Sequence, residues 1–340
     1  MNINKSILEM KLMYYGNKLN LFLLRLRIKI IMDNQINILN TIGNTPIVKL
    51  NRIVPDNSAE VWVKLEGLNP TGSYKDRMAK SVLQNAILRG EVKIGGNVVE
   101  YTGGSTGTSL AFVSTVLGLK FIAVFSNAFS KTKQQSMEAF GAEVIVVNSE
   151  DGKITPDLIQ KMKQKAYEIA NDSDTFYADQ FGSIDVIKGY ESLGEELANQ
   201  IDGDIDFFCS AVGTGGALMG TYSGIVNSGH STKLIALEPL QSPTLTKGKG
   251  WSHRVEGIGL GFEPPFLDRE KLYDIRAIDE ECGFSMCKQL AKEEGIFGGG
   301  STGLNVFAAI EIAKEIGPGK RVVTLNCDNG LKYLGGHIYK

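Results

Sequence analysis

The sequence is short of the residue types on which several kinds of protein depend. It has three histidines and four cysteines in 340 residues, and no two of the cysteines form a CxxC pair. Because zinc and redox motifs depend on such spacings, we expect no metal site. Unpaired thiols are typical of a reduced, cytoplasmic protein. The cysteines are Cys209, Cys282, Cys287 and Cys327.

An excess of charge of one sign is also missing. The 36 Lys and Arg residues nearly balance the 38 Asp and Glu residues, so the formal net charge is −2. A nucleic-acid binder usually needs a broad positive field, and we therefore expect no nucleic-acid partner. The apolar stretch at residues 19–24 is too short to span a bilayer, and we expect no membrane partner.

Residues 1–31 alternate between basic and apolar positions and are followed by no small-residue cleavage site. A second methionine, Met32, opens a segment that is typical of the start of a compact enzyme. We interpret residues 1–31 as an N-terminal extension that is either disordered or the product of an upstream start. An amphipathic targeting helix is the alternative.

From residue 41 onward, short apolar segments alternate with longer helical stretches. Continuous β-branched runs separated by helices are typical of parallel strands that are covered on both faces. We predict an α/β protein of two three-layer domains with mainly parallel sheets, residues 32–180 and 181–340, and a cleft at the carboxyl ends of the strands. The predicted strands are 60–67, 97–101, 120–126, 142–148, 205–212, 233–239 and 321–327, and the predicted helices are 78–90, 108–118, 131–141, 155–170 and 217–226.

Glycine, with 39 residues, is concentrated at four of the expected strand-to-helix junctions. GTGGALMG, residues 213–220, follows an apolar strand and opens a helix, so its N–H groups and the helix dipole would form an anion site. A dinucleotide fingerprint would need glycine at Leu218, and no Walker lysine follows. The segment therefore suits a single phosphate monoester, with a tightly packed turn as the alternative. The other glycine segments are 69–77, 101–107 and 298–303.

A second anion site is predicted at YTGGSTG, residues 101–107, where hydroxyl and N–H groups suit a substrate carboxylate. The same letters contain G-x-S-x-G, the nucleophile elbow of α/β-hydrolases, with Ser105 as the nucleophile. That alternative is weakened because the pattern recurs at 299–303 and because no histidine lies in a recognisable triad setting. The histidines are His230, His253 and His337.

Lys75 differs from the other lysines in its surroundings. Within NPTGSYKDR it follows Gly72 and Ser73, where a glycine turn meets a helix. A desolvated lysine amine has a lowered pKa and becomes nucleophilic, as Schiff-base chemistry requires. With a phosphate site and a carboxylate site, such a lysine predicts an aldehyde cofactor and an amino-acid substrate. We expect four other lysines to be solvated surface residues, namely Lys64, Lys80, Lys131 and Lys133.

These segments together resemble the cysteine synthase and cystathionine β-synthase family of pyridoxal-phosphate enzymes, which have the tryptophan-synthase-β-like fold (fold type II). The resemblance covers about residues 41–333. TIGNTPIVKL is similar to the family's opening signature, and the lysine motif and the two anion-binding loops follow. VEGIGLGF (255–262), GGGSTG (298–303) and CDNGLKYL (327–334) complete the family's order.

The resemblance implies pyridoxal 5′-phosphate as the cofactor, held by Lys75 as an imine, and a homodimer. It implies further cofactor contacts from Ser105, Gly213, Thr214, Gly215, Gly216, Ala217 and Asn329. It implies that the substrate amino acid binds to Thr102, Gly103, Gly104, Thr106, Gln180 and Gly257.

Four residues depart from the family's pattern. Ala217 stands where a threonine is usual beside the phosphate, a loss of about one hydrogen bond, or ~0.5–1.5 kcal/mol net. Gly103 replaces a common serine and Ser105 an asparagine, which leaves open which amino acid the pocket accepts. Asn329 replaces the serine expected beside the pyridine nitrogen. A neutral group there would favour β-elimination over transamination, unless the neighbouring Asp328 faces the nitrogen instead.

The activity that the resemblance implies is β-replacement on a serine- or cysteine-type amino acid through an aminoacrylate. Lys75 would act as the general base, and a thiol or sulfide would be the second substrate. One alternative is β-elimination or deamination, as in a cysteine desulfhydrase or a serine dehydratase. The alternative from another class is a cofactor-holding regulatory protein without turnover, which the altered 101–107 loop keeps open.

Overall fold

The computed structural model describes residues 36–150, 152, 154–171 and 174–340. The extension expected at residues 1–31 lies outside the described residues. Within the described ranges the strands are β1 (Ile47–Lys49), β2 (Glu60–Lys64), β3 (Asn97–Tyr101), β4 (Lys120–Ser126), β5 (Glu143–Val147), β6 (Thr175–Tyr177), β7 (Phe207–Ala211), β8 (Lys233–Pro239), β9 (Leu272–Ile278) and β10 (Arg321–Leu325). The α-helices there are α1 (Lys75–Arg89), α2 (Ser105–Leu117), α3 (Lys131–Ala139), α4 (Pro156–Ala170), α5 (Ile184–Gln200), α6 (Gly216–Asn227), α7 (Thr244–Lys247), α8 (Glu280–Gln289) and α9 (Gly300–Ile316).

The strands form two sheets. The larger sheet has the order β1-β2-β10-β7-β8-β9, and the smaller has the order β5-β4-β3-β6. Every pairing is parallel except that of β1 with β2. The prediction of an α/β protein with mainly parallel sheets is therefore confirmed.

The division of the chain between the sheets differs from the expected boundary at residue 180. Strand β2 pairs in parallel with β10, so that Val61 lies opposite Val322 and Val63 opposite Thr324. Strands β1 and β2 thus belong to the same sheet as the C-terminal strands, and the smaller sheet contains only strands between residues 97 and 177. An apolar run in the sequence indicates a buried strand but does not indicate its pairing partner, so the boundary could not be seen there.

Helix α1 carries the predicted site lysine at its first position. The chain reaches it through Gly72, whose φ is +73°, and leaves it at Gly90, whose φ is +79°. These left-handed conformations favour glycine, and the N–H of Gly90 closes the last turn on the carbonyls of Ala86 and Ile87. The buried face of α1 packs against α2 and α5. The position of Lys75 is therefore held by the core and not by a loose loop.

A buried ionic network links strand β2 to helix α5. Lys64 is fully buried, and its ammonium donates to the carbonyl of Thr45 at 2.7 Å, to Glu196 at 2.7 Å and to Gln200 at 2.8 Å. The expectation that Lys64 is a solvated surface residue is therefore wrong. Its strand, β2, lies inside the larger sheet, and the partners that accept its charge come from α5, far away in the sequence.

None of the helices in the described part of the chain combines the length and the apolar character that a membrane span requires.

Candidate active site

The loop that carries Lys75 is joined to the loop that follows β10. The N–H of Tyr74 donates to the carbonyl of Cys327 at 3.0 Å, and the N–H of Asn329 donates to the carbonyl of Gly72 at 2.9 Å. Because β10 and β2 are parallel neighbours, both loops leave the same edge of the larger sheet. This edge, at the carboxyl ends of the strands, is where ligands bind in open α/β folds.

The amine of Lys75 is poorly solvated. Burial lowers the pKa of Lys75 to about 8, although the nearby Cys327 and Asp328 oppose the shift. Its Nζ lies 4.8 Å from the centroid of the Tyr74 ring, and within the described ranges it forms no ion pair. With such a pKa, about one amine in ten is neutral at pH 7, against fewer than about one in a thousand for an ordinary lysine. Lys75 is thus an activated nucleophile and base.

The predicted phosphate loop has a shape that only small residues permit. Gly215 has a φ of +84° and caps the start of α6, and the N–H of Gly216 donates to the hydroxyl of Thr214 at 3.3 Å. A Cβ on Gly216 would lie 2.5 Å from Val186. The first N–H groups of a helix have no acceptor within it, so the start of α6, with Ala217 in its first turn, can receive an anion.

The segment around Gly257 lies directly against the phosphate loop. The N–H of Gly259 donates to the carbonyl of Val212 at 3.1 Å, and a Cβ on Gly213 would overlap the carbonyl oxygen of Gly257. Gly257 itself is exposed and has a φ of +82°. The structure thus brings together two predicted parts of the site that lie some 40 residues apart.

Gly213→Ala is expected to weaken cofactor binding by about 10- to 100-fold, the effect of losing one charge-assisted hydrogen bond. The added Cβ would push the phosphate loop away from Gly257. A fluorescence or absorbance titration of the cofactor-free protein with pyridoxal phosphate measures the change in Kd. Gly335→Ala is the control, because nothing lies within 4 Å of a Cβ there. Equal Kd values for the two variants would contradict the prediction.

The 101–107 loop is organised by the hydroxyl of Thr102. Its Oγ1 accepts from the N–H of Gly104 at 3.1 Å and from the N–H of Gly107 at 3.0 Å. The hydroxyl of Thr106 donates to Oε1 of Gln180 at 3.0 Å, and Nε2 of Gln180 donates to the carbonyl of Tyr101 at 3.0 Å. Thr102, Thr106 and Gln180, which were predicted to act together on a carboxylate, therefore lie together.

The loop is also linked to the lysine motif. The hydroxyl of Thr71 lies 3.3 Å from that of Ser109 on α2, and it donates to Asp76 on α1 at 2.6 Å. Helix α2 begins at Ser105, within the 101–107 segment, and also carries Ser109. The lysine motif and the 101–107 loop therefore belong to one connected site.

Neighbouring side chains explain the two glycines at 103 and 104. A Cβ on Gly103 would lie 2.8 Å from the ring of Phe129, and one on Gly104 would overlap the aliphatic stem of Lys133. Gly104 also has a φ of +146°, which side chains rarely adopt. The departure from serine at position 103 is thus matched by Phe129, which occupies the space a side chain would need.

Lys133 was expected to be a solvated surface residue, and this is wrong. Its side chain is 12% exposed, and its ammonium forms an ion pair with Glu256. The burial of Lys133 could not be predicted from the polar sequence of α3, because Lys133 is covered by residues of other segments, Glu256 and Gly104. The available signal was the pair of glycines at 103–104, which indicates that another segment approaches closely.

Either Asn329 or Asp328 was predicted to lie beside the pyridine nitrogen, and the two residues differ in their surroundings. The side chain of Asn329 accepts from the N–H of Leu331 at 2.9 Å and caps a short turn. Asp328 is buried. Its Oδ2 accepts from the hydroxyl of Tyr333 at 2.5 Å, and its Oδ1 has no partner among the described residues. Burial raises the pKa of Asp328, an effect that Lys332 opposes. Of these two side chains, it is therefore Asp328 that has an oxygen without a hydrogen-bond partner among the described residues.

The arrangement does not match the hydrolase alternative. Both ring nitrogens of His253 face the backbone, at Gly259 and Val255, and His337 packs edge-on against Phe284. None of the three histidines, His230 included, hydrogen-bonds to Ser105 in the described part of the chain. The serine in the 101–107 loop therefore has no general base of the triad type.

The fold and the site define an α/β enzyme that combines an activated lysine with a backbone cradle able to receive an anion. The residues fit pyridoxal phosphate, since Lys75 can react with its aldehyde and the 213–217 cradle, which a side chain would fill, can hold its phosphate. The model of the family described as pyridoxal-phosphate dependent enzyme matches residues 38–328. The chain belongs to this family and uses pyridoxal 5′-phosphate, as predicted.

Individual relatives show which members of the family the chain is similar to. It is 37% identical over 305 residues to a cysteine synthase of Staphylococcus aureus, covering 89% of this chain and 96% of that protein. A cysteine synthase structure from Entamoeba histolytica has a TM-score of 0.83 at 31% identity, covering 90% of both chains. A hydrogen sulfide-producing enzyme from Fusobacterium nucleatum has a TM-score of 0.82 at 33% identity, covering 88% of this chain and 98% of that one. The predicted resemblance to the cysteine synthase family is confirmed.

Proposed function

We propose that this enzyme replaces the β-substituent of a serine- or cysteine-type amino acid with a thiol or sulfide. The observation that carries the proposal is the presence of three groups after the carboxyl ends of strands in the two sheets: the activated amine of Lys75, the cradle at 213–217, and the Thr102–Thr106–Gln180 cluster. Together they match an amino-acid substrate and a phosphate-bearing aldehyde cofactor. The names of the Staphylococcus and Entamoeba relatives agree with this activity.

The residues that would hold the cofactor follow from the site. Lys75 would bind its aldehyde carbon, and backbone N–H groups at the start of α6 would bind its phosphate. These groups belong to Gly213, Thr214, Gly215, Gly216 and Ala217. Ser105 is the first residue of α2 and would contact the cofactor, and either Asn329 or Asp328, whose Oδ1 has no partner among the described residues, would lie beside the pyridine nitrogen. When bound, the cofactor supplies an electron-withdrawing ring that makes the α-proton of the substrate acidic.

The chain's own residues would then orient the substrate and move one proton. Thr102, Thr106 and Gln180 hold the carboxylate, which fixes the direction of the bond from Cα to its hydrogen. Lys75 Nζ takes this proton as a general base, because its lowered pKa keeps a useful fraction neutral near pH 7, and later returns it. The exposed segment around Gly257 borders the site on the solvent side.

Net β-elimination is the second candidate. It is favoured by the structural likeness to the hydrogen sulfide-producing enzyme of Fusobacterium nucleatum. It would use the same residues, and it differs only in whether water or a thiol consumes the product of the first half-reaction. A regulatory role without turnover is less consistent with the low pKa of Lys75.

The test is a product analysis with the purified enzyme and its cofactor. O-Acetyl-L-serine with sulfide should yield acetate and cysteine in equal amounts, detected by mass spectrometry. Pyruvate in place of cysteine would support elimination. If no serine- or cysteine-type amino acid changes the cofactor's absorbance or gives a product, the proposal is overturned.

We further propose that the protein is a cytoplasmic homodimer, as the family resemblance implies. The four cysteines are all free, which is consistent with a reducing compartment. Light scattering after size exclusion should give twice the mass of one chain.

A further inference from the structure

We propose that Lys133 is a specificity-determining residue that binds a second anionic group, one separate from the α-carboxylate of the substrate. This inference rests on the proposed function and concerns the choice of substrate at the same site. The second anionic group is a phosphate, sulfate or carboxylate. It can belong to the leaving group of the first amino acid or to the incoming nucleophile.

Lys133 reaches the site from outside the segments that form it. It lies in the first turn of α3, and its stem crosses Gly104, with Cγ and Cε 3.1 Å and 3.0 Å from the position of a Cβ there. Only 12% of the side chain is exposed, whereas Lys131, two residues earlier, is exposed. The stem of Lys133 thus packs along the substrate loop, and its ammonium ends at Glu256.

The ammonium of Lys133 lies between three parts of the cleft. It pairs with Glu256, next to Gly257 in the segment that lies against the phosphate loop. It also lies 6.0 Å from the centroid of the Tyr333 ring, and its charge acts on the buried Asp328. A cation at this point therefore adjoins both the 101–107 segment, through Gly104, and the Gly257 segment, which contacts the phosphate loop.

The present partner of Lys133 is suited to be displaced. The Glu256 side chain is 44% exposed, and its carboxylate can return to water without being buried unpaired. Lys133 cannot withdraw in the same way, because its stem is packed on Gly104. An anionic group that enters the cleft can therefore take the place of Glu256, whereas a neutral group leaves the ion pair as it is.

The glycines of the loop suggest that the α-carboxylate and the second anionic group are bound by different residues. Gly103 and Gly104 present no side chains, because Phe129 and Lys133 occupy the space next to them. The loop can hold an α-carboxylate through its backbone and hydroxyls, but it has little with which to read the rest of the substrate. That task falls to Phe129 and Lys133, and the charge of Lys133 selects for an anion.

The experiment compares Lys133→Met with the matched control Lys131→Met, both as holoenzymes. Binding is followed through the cofactor's absorbance, and kcat/KM is measured alongside it. The first arm compares O-phospho-L-serine with neutral O-acetyl-L-serine. The second keeps O-acetyl-L-serine and compares 3-mercaptopropionate with neutral 2-mercaptoethanol as the nucleophile.

Lys133→Met should lose about 10- to 100-fold in affinity or kcat/KM for the anionic compound of one arm, and change less than about twofold with its neutral counterpart. The arm that responds identifies the source of the anion. Glu256→Gln should strengthen binding of the same compound, because it removes the competing carboxylate. Lys131→Met should behave like the wild type.

Equal losses for charged and neutral compounds, or no loss in either arm, would overturn the role of Lys133 while leaving the proposed function intact. If the wild type responds to no amino acid at all, the proposed function fails, and the inference about Lys133 fails with it.

Discussion

Lys75→Ala is expected to prevent covalent attachment of the cofactor and to lower turnover by about a thousandfold or more. The variant loses both a nucleophile and a general base, and a base alone contributes about 10²- to 10⁴-fold. Burial lowers the pKa of Lys75 to about 8, and its motif is joined to the helix that follows the 101–107 loop through Thr71 and Ser109. The absorbance band of the lysine-bound cofactor should disappear, and mass spectrometry after borohydride reduction should find no cofactor on the chain.

Lys93→Ala is the matched control for Lys75→Ala. Lys93 is exposed just beyond the end of α1, so its loss should leave the absorbance band and turnover unchanged. Reduction of the wild type should attach the cofactor to the peptide that contains Lys75. A variant without Lys75 that kept both the band and the turnover would show that another residue holds the cofactor.

Arg77→Met is expected to destabilise the protein by about 3–5 kcal/mol, the usual effect of leaving a buried charge without its partner. The Arg77 guanidinium donates to both carboxylate oxygens of Glu66, at 2.7 Å and 2.8 Å, and also to Glu196 at 2.7 Å. The side chains of Arg77 and Glu66 are 2% and 0% exposed. Without Arg77, the buried carboxyl of Glu66 would lose its charged partner. Urea unfolding followed by circular dichroism measures the difference in free energy of unfolding.

Arg269→Met is the control, because it breaks an ion pair of similar geometry at the surface. Arg269 and Glu263 are 46% and 45% exposed, so this substitution should change the free energy of unfolding by only about 0–1 kcal/mol. Equal effects of Arg77→Met and Arg269→Met would contradict the importance of the buried network.

The loss of free energy of unfolding caused by Arg77→Met should become smaller as the pH falls. Burial alone would raise the pKa of Glu196, but its contacts with Arg77 and Lys64 lower it to about 2. A carboxyl whose pKa is depressed by folding stabilises the protein above its unfolded pKa, about 4.5, and loses that contribution as the pH falls toward 2. The wild type therefore loses this part of its stability in acid. The difference in free energy of unfolding between the wild type and Arg77→Met should become smaller between pH 5 and pH 3.

The sequence was most informative where a feature is contained in one short segment. Strands β3, β4 and β8 begin and end at the residues predicted, because each is an apolar, β-branched run bounded by polar or turn residues. Strands β1, β6 and β9 were not predicted. Strands β1 and β6 have only three residues each, which is too few for a periodic pattern to be recognised. Strand β9 is an edge strand that mixes charged and apolar residues.

The lysine motif and the phosphate loop could be recognised for a similar reason. The conformations of Gly72 and Gly215 and the start of a helix after each are local properties that glycine and its neighbours largely determine. Lys75 and the cofactor followed from them. The choice between Asp328 and Asn329 did not, because the two are adjacent in sequence and differ only in what surrounds them.

The sequence by itself therefore determined the α/β class, the family and the cofactor. Only the tertiary structure decided that β2 pairs with β10, that Lys64 is buried, and that Lys133 packs against the substrate loop. The physical reason is that a lysine is solvated or buried according to partners that folding supplies. For these two lysines the partners are Glu196 and Glu256, which lie 132 and 123 residues away along the chain.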